Sequence, residues 1–301
     1  MSPRKHALVL GGTGFIGSEL VRQLLQKNYR VSVTVHERAP FRQFEDCNLI
    51  PSELSEFKLA SLQHDAPDIA FHLARIPGKG KAGRLKSATS GAAHNDRLLS
   101  ESKSQFPGLK WVYVSGSLMY GDHGDDWVDE NFPMNPMAYA EEYAIAEEPF
   151  QKALTEGMAM MIHPPWILGN ASWFKHFYLK VMQEEGFVPQ YGSGQEWMNL
   201  IHLEDCAGRI LHFSERGSFG QRYNLLGSAA VQSGEFLKVL SELSGLPVTA
   251  KRAEGDEAGR AALASSIRLT SLHSELHEGF QDQHPDLREM LRSLLPEGVK
   301  A

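Results

Sequence analysis

The stretch HALVLGGTGFIGSEL, residues 6–20, sets Gly11, Gly14 and Gly17 three residues apart, between a short apolar run and a helical pattern. Glycine is costly inside regular structure, so a cluster of it at a strand-to-helix junction needs a physical reason. A turn without side chains can lie flat against a pyrophosphate. The helix behind it then offers unpaired N–H groups and the positive end of its dipole. The structural alternative is a bare glycine turn. Phe15 and Ile16, between the second and third of these glycines, belong to the same candidate cradle.

Outward from this junction, strands and helices alternate. Ala7–Leu10 reads as a buried strand, and Ser18–Gln26 as a helix with Leu20, Val21, Leu24 and Leu25 on one face. Further strands are expected at Val31–Val35, Leu49–Ile50, Asp68–Leu73, Trp111–Ser115 and Ala159–His163, with helices at about 93–104 and 136–155. This alternation predicts an α/β fold, a doubly wound parallel sheet with helices on both faces. After Gly169 the pattern loosens into helical stretches at 172–183, 204–213 and 233–244 and a short strand at Asn199–His202. The expected organisation is a sheet domain over 1–168 and a smaller C-terminal lobe over 169–301, with about 199–226 returning to the sheet.

Composition excludes several classes of function. The 301 residues are 42% hydrophobic and 22% charged, an ordinary globular balance. A formal net charge of −7 argues against a general nucleic-acid or anionic-membrane binder. Cys47 and Cys206 are the only cysteines, so neither a disulfide framework nor a thiolate zinc site is expected. The apolar run before the glycines is too short for a signal-peptide core, and no later stretch approaches a membrane span. The expected location is a reducing cytoplasm.

In order along the chain, LVLGGTGFIG (8–17), DIAFHLAR (68–75), WVYVSGSLMYG (111–121), NPMAYAEEYAIAEE (135–148), MIHPPWILGN (161–170) and YGSGQEWMNLIHLEDCAGRI (191–210) resemble segments of one family. It is the extended and atypical short-chain dehydrogenase/reductase superfamily, NAD-dependent epimerase/dehydratase group. The resemblance implies a Rossmann-like dinucleotide domain with a substrate lobe. It also extends the cofactor set to Glu53 and Leu54 beside the adenine, and to Leu73, Ala74, Tyr139 and Pro164.

The catalytic group that the resemblance implies is incomplete. Tyr139 stands at the acid/base tyrosine position, but the lysine expected four residues later is Tyr143. The hydroxyl position is Gly116, flanked by Ser115 and Ser117, and Ser117 is the candidate replacement. The asparagine position falls near Gly91, one turn from Asn95. A free phenol has a pKa of about 10, and a nearby positive charge lowers it. Tyr143 carries no such charge, although its hydroxyl could still bond a ribose.

Beyond the second strand stand His36, Arg38 and Arg42, basic residues suited to a 2′-phosphate, with Glu37 as the contrary sign. NADP is therefore expected over NAD. RIPGKGKAGRLK (75–86) reads as a basic glycine-rich loop able to attract an anionic small-molecule substrate. Asp122, His123, Asp125 and Asp126 read as a turn, His273 and His277 as a surface helix, and no metal site is expected. Trp166, Trp173, Phe174, Phe177 and Tyr178 suit either a pocket wall or core. A homodimer is the candidate assembly. Three readings of function remain open: an oxidoreductase or epimerase/dehydratase-like enzyme on a small hydroxy or keto compound, a non-redox lyase or isomerase, and an NADP(H)-binding regulator without turnover.

Overall fold

The computed structural model describes residues 4–36, 41–138, 140–227, 229–251 and 257–297. They group into two compact units. The first draws on Met1–Ser115, Glu142–Ile162 and Ala207–Tyr223, and the second on Gly116–Glu141, His163–Cys206 and Asn224–Ala301.

The first unit is built on a seven-stranded sheet. In chain order its strands are β1 (His6–Leu10), β2 (Arg30–Val35), β3 (Asn48–Pro51), β4 (Ile69–His72), β5 (Lys110–Val114), β6 (Ala159–His163) and β7 (Arg222–Asn224). Their order across the sheet is β7-β6-β5-β4-β1-β2-β3. Val9 pairs in parallel register with Val33 on one side and Phe71 on the other, and Val112 pairs with Phe71 and Met160. Strands β1 and β6 are buried along their whole length, which explains their runs of four apolar residues beside His6 and His163: a parallel sheet is covered on both faces. The chain starts at β1, moves outward to β3, then crosses back to β4 on the other side of β1. That reversal puts a topological switch point between the C-terminal ends of β1 and β4, where sheets of this kind open a crevice.

Three helices of this unit position the site. Helix α1 (Phe15–Gln26) turns Leu20, Val21 and Leu24 into the core, as its spacing predicts. Helix α2 runs from Gly80 to Gln105, 26 residues, and starts well before the expected 93. Its first half carries Arg84, Ser87, Ala88 and Gly91 on one face, so no large apolar residue marks the period there. The basic loop expected at 75–86 is therefore corrected: its second half is helix. Helix α3 (Glu141–Thr155) begins later than the expected 136, because the Met137 carbonyl takes the N–H groups of Ala140 and Glu141 in a turn before it.

The second unit holds a three-stranded sheet, in which Trp197–His202 pairs antiparallel with Ala229–Gln232 and parallel with Trp166–Leu168. The strand expected at 199–202 thus belongs to this sheet and not to the central one, which Arg222–Asn224 joins. Its core gathers Phe174, Tyr178, Leu200, Phe236, Leu240, Met290 and Leu291, and Trp166, Trp173 and Phe177 pack against it half-buried. The aromatic run is core packing. Among the described residues no helix is long and apolar enough to cross a membrane.

Candidate functional site

The glycine turn sits at the switch point. Gly11 has φ +84°, and a Cβ there would come within 2.8 Å of the Ala74 amide nitrogen after β4. A Cβ on Gly17 would lie 2.1 Å from the Gly11 carbonyl oxygen, so close helix–turn packing alone requires that glycine. Gly14 differs. It is the N-cap of α1 with ordinary extended backbone, its N–H donates to the Gly11 carbonyl at 2.9 Å, and a Cβ would meet only that oxygen, at 3.1 Å. Among the described residues no side chain caps the helix, so none of them caps the N–H groups at Phe15, Ile16 and Gly17. Two glycines serve the fold, and the third leaves backbone exposed where an anion would be favoured.

A cavity of about 300 Å³ lies in the same unit. Leu54, His72, Ala74, Arg75, Arg84, Ser87, Gly91, Asn95, Tyr113 and Tyr143 are among its lining residues. Residues 84, 87, 88, 91 and 95 recur at helical spacing, so one face of α2 forms a wall. Tyr143 on α3 faces Arg75, whose guanidinium carbon stands 4.0 Å from the centre of the ring. Arg84 pairs with buried Glu142 at 3.4 Å. The lysine position of the resemblance is thus a phenol with a cation stacked on it.

Behind these groups the polar atoms are linked. Asn95 Nδ2 donates to the Ala146 carbonyl at 2.8 Å, leaving its Oδ1 to accept from His72 Nε2 at 2.9 Å. His72 therefore carries its proton on Nε2, and its buried Nδ1 keeps a lone pair with no partner among the described residues. Burial, then the nearby His94, lowers the His72 pKa to about 3, so the ring stays neutral. Ser115 Oγ donates to Glu147 Oε1 at 2.7 Å, both groups buried. Burial raises the Glu147 carboxyl to about 7, opposed by the Arg75 charge and the Ser115 bond. Burial also pushes the Tyr113 phenol well up, so it stays a neutral hydroxyl.

The structure gathers some expected site residues and separates others. Gly11, Leu73 and Ala74 meet at the switch point, and Leu54 and Tyr143 line the cavity with Ala74. His36 Nε2 contacts Glu53 Oε1, so the residue expected to meet a 2′-phosphate is held by a carboxylate. Ser117 and Pro164 are joined in the second unit, the Ser117 N–H donating to the Pro164 carbonyl at 3.0 Å at the head of a short 3₁₀ turn. The strand Lys110–Val114 has already ended there, so Gly116 and Ser117 escape the strand alternation that would set them on opposite faces. Tyr139 and Arg38 lie outside the described residues. In the 122–126 turn, Asp122 accepts the Gly124 N–H and Asp125 accepts Trp197 Nε1–H. His277 contacts the Asn224 carbonyl and His273 lies near Glu275. Sequence reasoning missed His72 and Tyr113, and it set Arg84 in a basic loop where the structure has helix. His72 and Tyr113 both sit in continuous apolar strand runs, where a polar residue carries no periodic signal.

Comparison with known proteins agrees with this layout. The family model described as NAD dependent epimerase/dehydratase family matches residues 7–161. The chain is 25% identical to a dTDP-glucose 4,6-dehydratase of Neisseria gonorrhoeae over 284 residues, covering 80% of this chain and 78% of that protein. A chloroplastic epimerase family protein of Arabidopsis thaliana is 25% identical over 303 residues, 95% of this chain and 86% of the relative. Among solved structures, the dTDP-glucose 4,6-dehydratase of Bacillus anthracis superposes with a TM-score of 0.77 at 16% identity, covering 96% of this chain and 95% of the other. At that identity the likeness concerns the fold.

Proposed function

Because this chain belongs to the NAD dependent epimerase/dehydratase family, we propose that it binds a nicotinamide dinucleotide at the β1/β4 switch point and acts on a small hydroxy or keto compound, as an oxidoreductase or epimerase/dehydratase-like enzyme with an atypical active site. The observation that carries this reading is Gly14, an N-cap glycine that the fold itself leaves open, in front of uncapped helix N–H groups. The residues fit the cofactor. Gly11, Gly14, Phe15, Ile16 and Gly17 would hold the pyrophosphate, and Leu54, Leu73 and Ala74 the adenosine side, with Pro164 completing the set. The nicotinamide supplies hydride exchange when bound.

NADP was the expectation from His36 and Arg38. The contact of His36 with Glu53 supports NAD instead, since a carboxylate there repels a 2′-phosphate and suits a ribose diol. The Bacillus anthracis dehydratase is itself a complex with NAD. In this reading Tyr139 moves the proton, Ser117 polarises the carbonyl, and Tyr143 positions the ligand while Arg75 stacked on it supplies the local positive charge. Arg75 and Arg84 on the cavity wall favour a substrate bearing a carboxylate or phosphate.

A second reading, a dinucleotide-binding regulator without turnover, draws on one observation: no lysine or carboxylate lines the cavity among the described residues. A panel of carbonyl substrates with NADH and NADPH separates the two, run on the parent, Tyr139→Phe and Tyr143→Lys. The enzyme reading expects slow turnover by the parent, loss in Tyr139→Phe of the order of the 10²–10⁴-fold that acid–base help is worth, and a gain in Tyr143→Lys. Brisk parental turnover that survives Tyr139→Phe would move the site elsewhere. Tight binding with no turnover in any variant selects the regulator.

A further inference from the structure

The second unit brings together three side chains that the sequence holds as much as 82 residues apart (284 − 202). His202 ends the strand Trp197–His202, Glu204 lies in the first turn of the helix Leu203–Arg216, and His284 precedes the helix Leu287–Leu294. One ligand atom from each falls within 4.8 Å of the other two. His284 Nε2 and Glu204 Oε2 are 3.0 Å apart, and the two imidazole rings stand 3.7 Å centre to centre. Ligand atoms about 2 Å from a tetrahedral zinc stand about 3.3 Å from one another. The His284–Glu204 pair already has nearly that spacing.

The trio is braced from behind. Asp205, which is 1% exposed, accepts the N–H of Gln283 at 2.7 Å and that of His284 at 2.9 Å. Those two bonds tie the chain carrying His284 to the helix carrying Glu204. The Glu204 amide donates to His202 Nδ1 at 3.3 Å, a long bond, so that nitrogen holds the lone pair of the neutral ring. On the outer side, the His284 and Glu204 side chains are 29% and 38% exposed, so an ion can enter from water.

We propose that His202, Glu204 and His284 form a site for a divalent first-row transition ion such as zinc, with water in the remaining positions. Two imidazoles and one carboxylate suit zinc and its neighbours, whereas calcium and magnesium prefer all-oxygen sets. On binding, the ion takes the His284 Nε2 lone pair, a Glu204 oxygen and the His202 lone pair, which sits on Nδ1 while that atom accepts the Glu204 amide; the amide gives up this long bond, and the proton shared by His284 and Glu204 leaves to solvent. The site uses no residue of the glycine turn or the cavity, so it stands or falls independently of the proposed activity.

Titration calorimetry of chelator-treated full-length protein with zinc chloride tests this, paired with thermal unfolding with and without the ion. One zinc per chain and a raised unfolding midpoint are expected. His284→Ala and His202→Gln should each weaken binding by about 100-fold or more, beyond the roughly 10–100-fold typical of losing an outer hydrogen-bonding partner. His273→Ala, a histidine outside the trio, should leave it unchanged. If His284→Ala does not fold, Glu204→Gln gives the same reading while keeping the side-chain shape. No saturable zinc binding by the folded parent, or binding unaltered in the His202→Gln/His284→Ala double variant, overturns the proposal and leaves a ring stack with an ion pair.

Discussion

Glu147 carries a consequence that its neighbours make measurable. Its carboxyl is buried, bonded once to Ser115 and raised by burial from the ordinary 4.5 to about 7. A raised acid holds its proton more tightly in the folded chain than in the unfolded one. Its contribution to stability is therefore present below about pH 4.5 and is lost as pH rises through about 7. Glu147→Gln keeps an acceptor for Ser115 and removes the charge. Chemical denaturation should show the variant more stable than the parent at pH 8, by up to about 3 kcal/mol, with the difference vanishing near pH 4. An equal gap at both pH values would mean that the carboxyl titrates normally. His72 has the opposite slope: its pKa is lowered, so the stability it allows above about 6.5 is lost as pH falls toward about 3.

The strand–turn–helix element from β1 to α1 separates structural glycines from a ligand-facing one. A Cβ on Gly17 runs into the Gly11 carbonyl at 2.1 Å, while one on Gly14 needs only a small adjustment of the same oxygen. Gly17→Ala should thus lower the thermal midpoint, in line with the roughly 1–3 kcal/mol cost of overpacking. Gly14→Val should unfold close to the parent yet lose dinucleotide binding by calorimetry. Unchanged NADH affinity in a folded Gly14→Val protein would remove the pyrophosphate assignment. Helix α2 makes the converse point. A face of arginine, serine, alanine, glycine and asparagine has no hydrophobic period, and that same smallness gives the cavity its room.

For the whole molecule, dinucleotide binding to the folded state alone must raise stability by mass action. At about 100 times its dissociation constant the gain is about 2.7 kcal/mol. NADH should therefore raise the unfolding midpoint of the parent, and NADPH at equal concentration should raise it less, because Glu53 occupies His36. Glu53→Gln should narrow that gap by about 1 kcal/mol, the pair being half-exposed and screened. Equal shifts with both nucleotides in the parent would count against the NAD assignment. No shift with either would remove the dinucleotide site altogether. The formal charge of −7 makes local cations such as Arg75 and Arg84 the places where an anionic ligand would gain most.

How much of this was legible beforehand follows from the range of each interaction. Strands β1, β2, β5 and β6 and helix α1 were readable because burial on both faces of a sheet, or on one face of a helix, writes itself as local periodicity. The glycine spacing, the missing lysine at Tyr143 and the family likeness were readable for the same reason, being patterns within a few residues. Three-dimensional packing alone decided the rest. His36 meets Glu53 across 17 residues, His72 meets Asn95 across 23, and Ser115 meets Glu147 across 32. Arg75 stacking on Tyr143 and His284 reaching Glu204 are longer still. Six strands of the sheet, the turn and the family could be read from local pattern, because backbone geometry and hydrophobic burial act on neighbours; the seventh strand, Arg222–Asn224, could not. Tertiary structure decided which charges are paired and which protons are held, because those depend on groups that only the folded chain brings within a few ångströms.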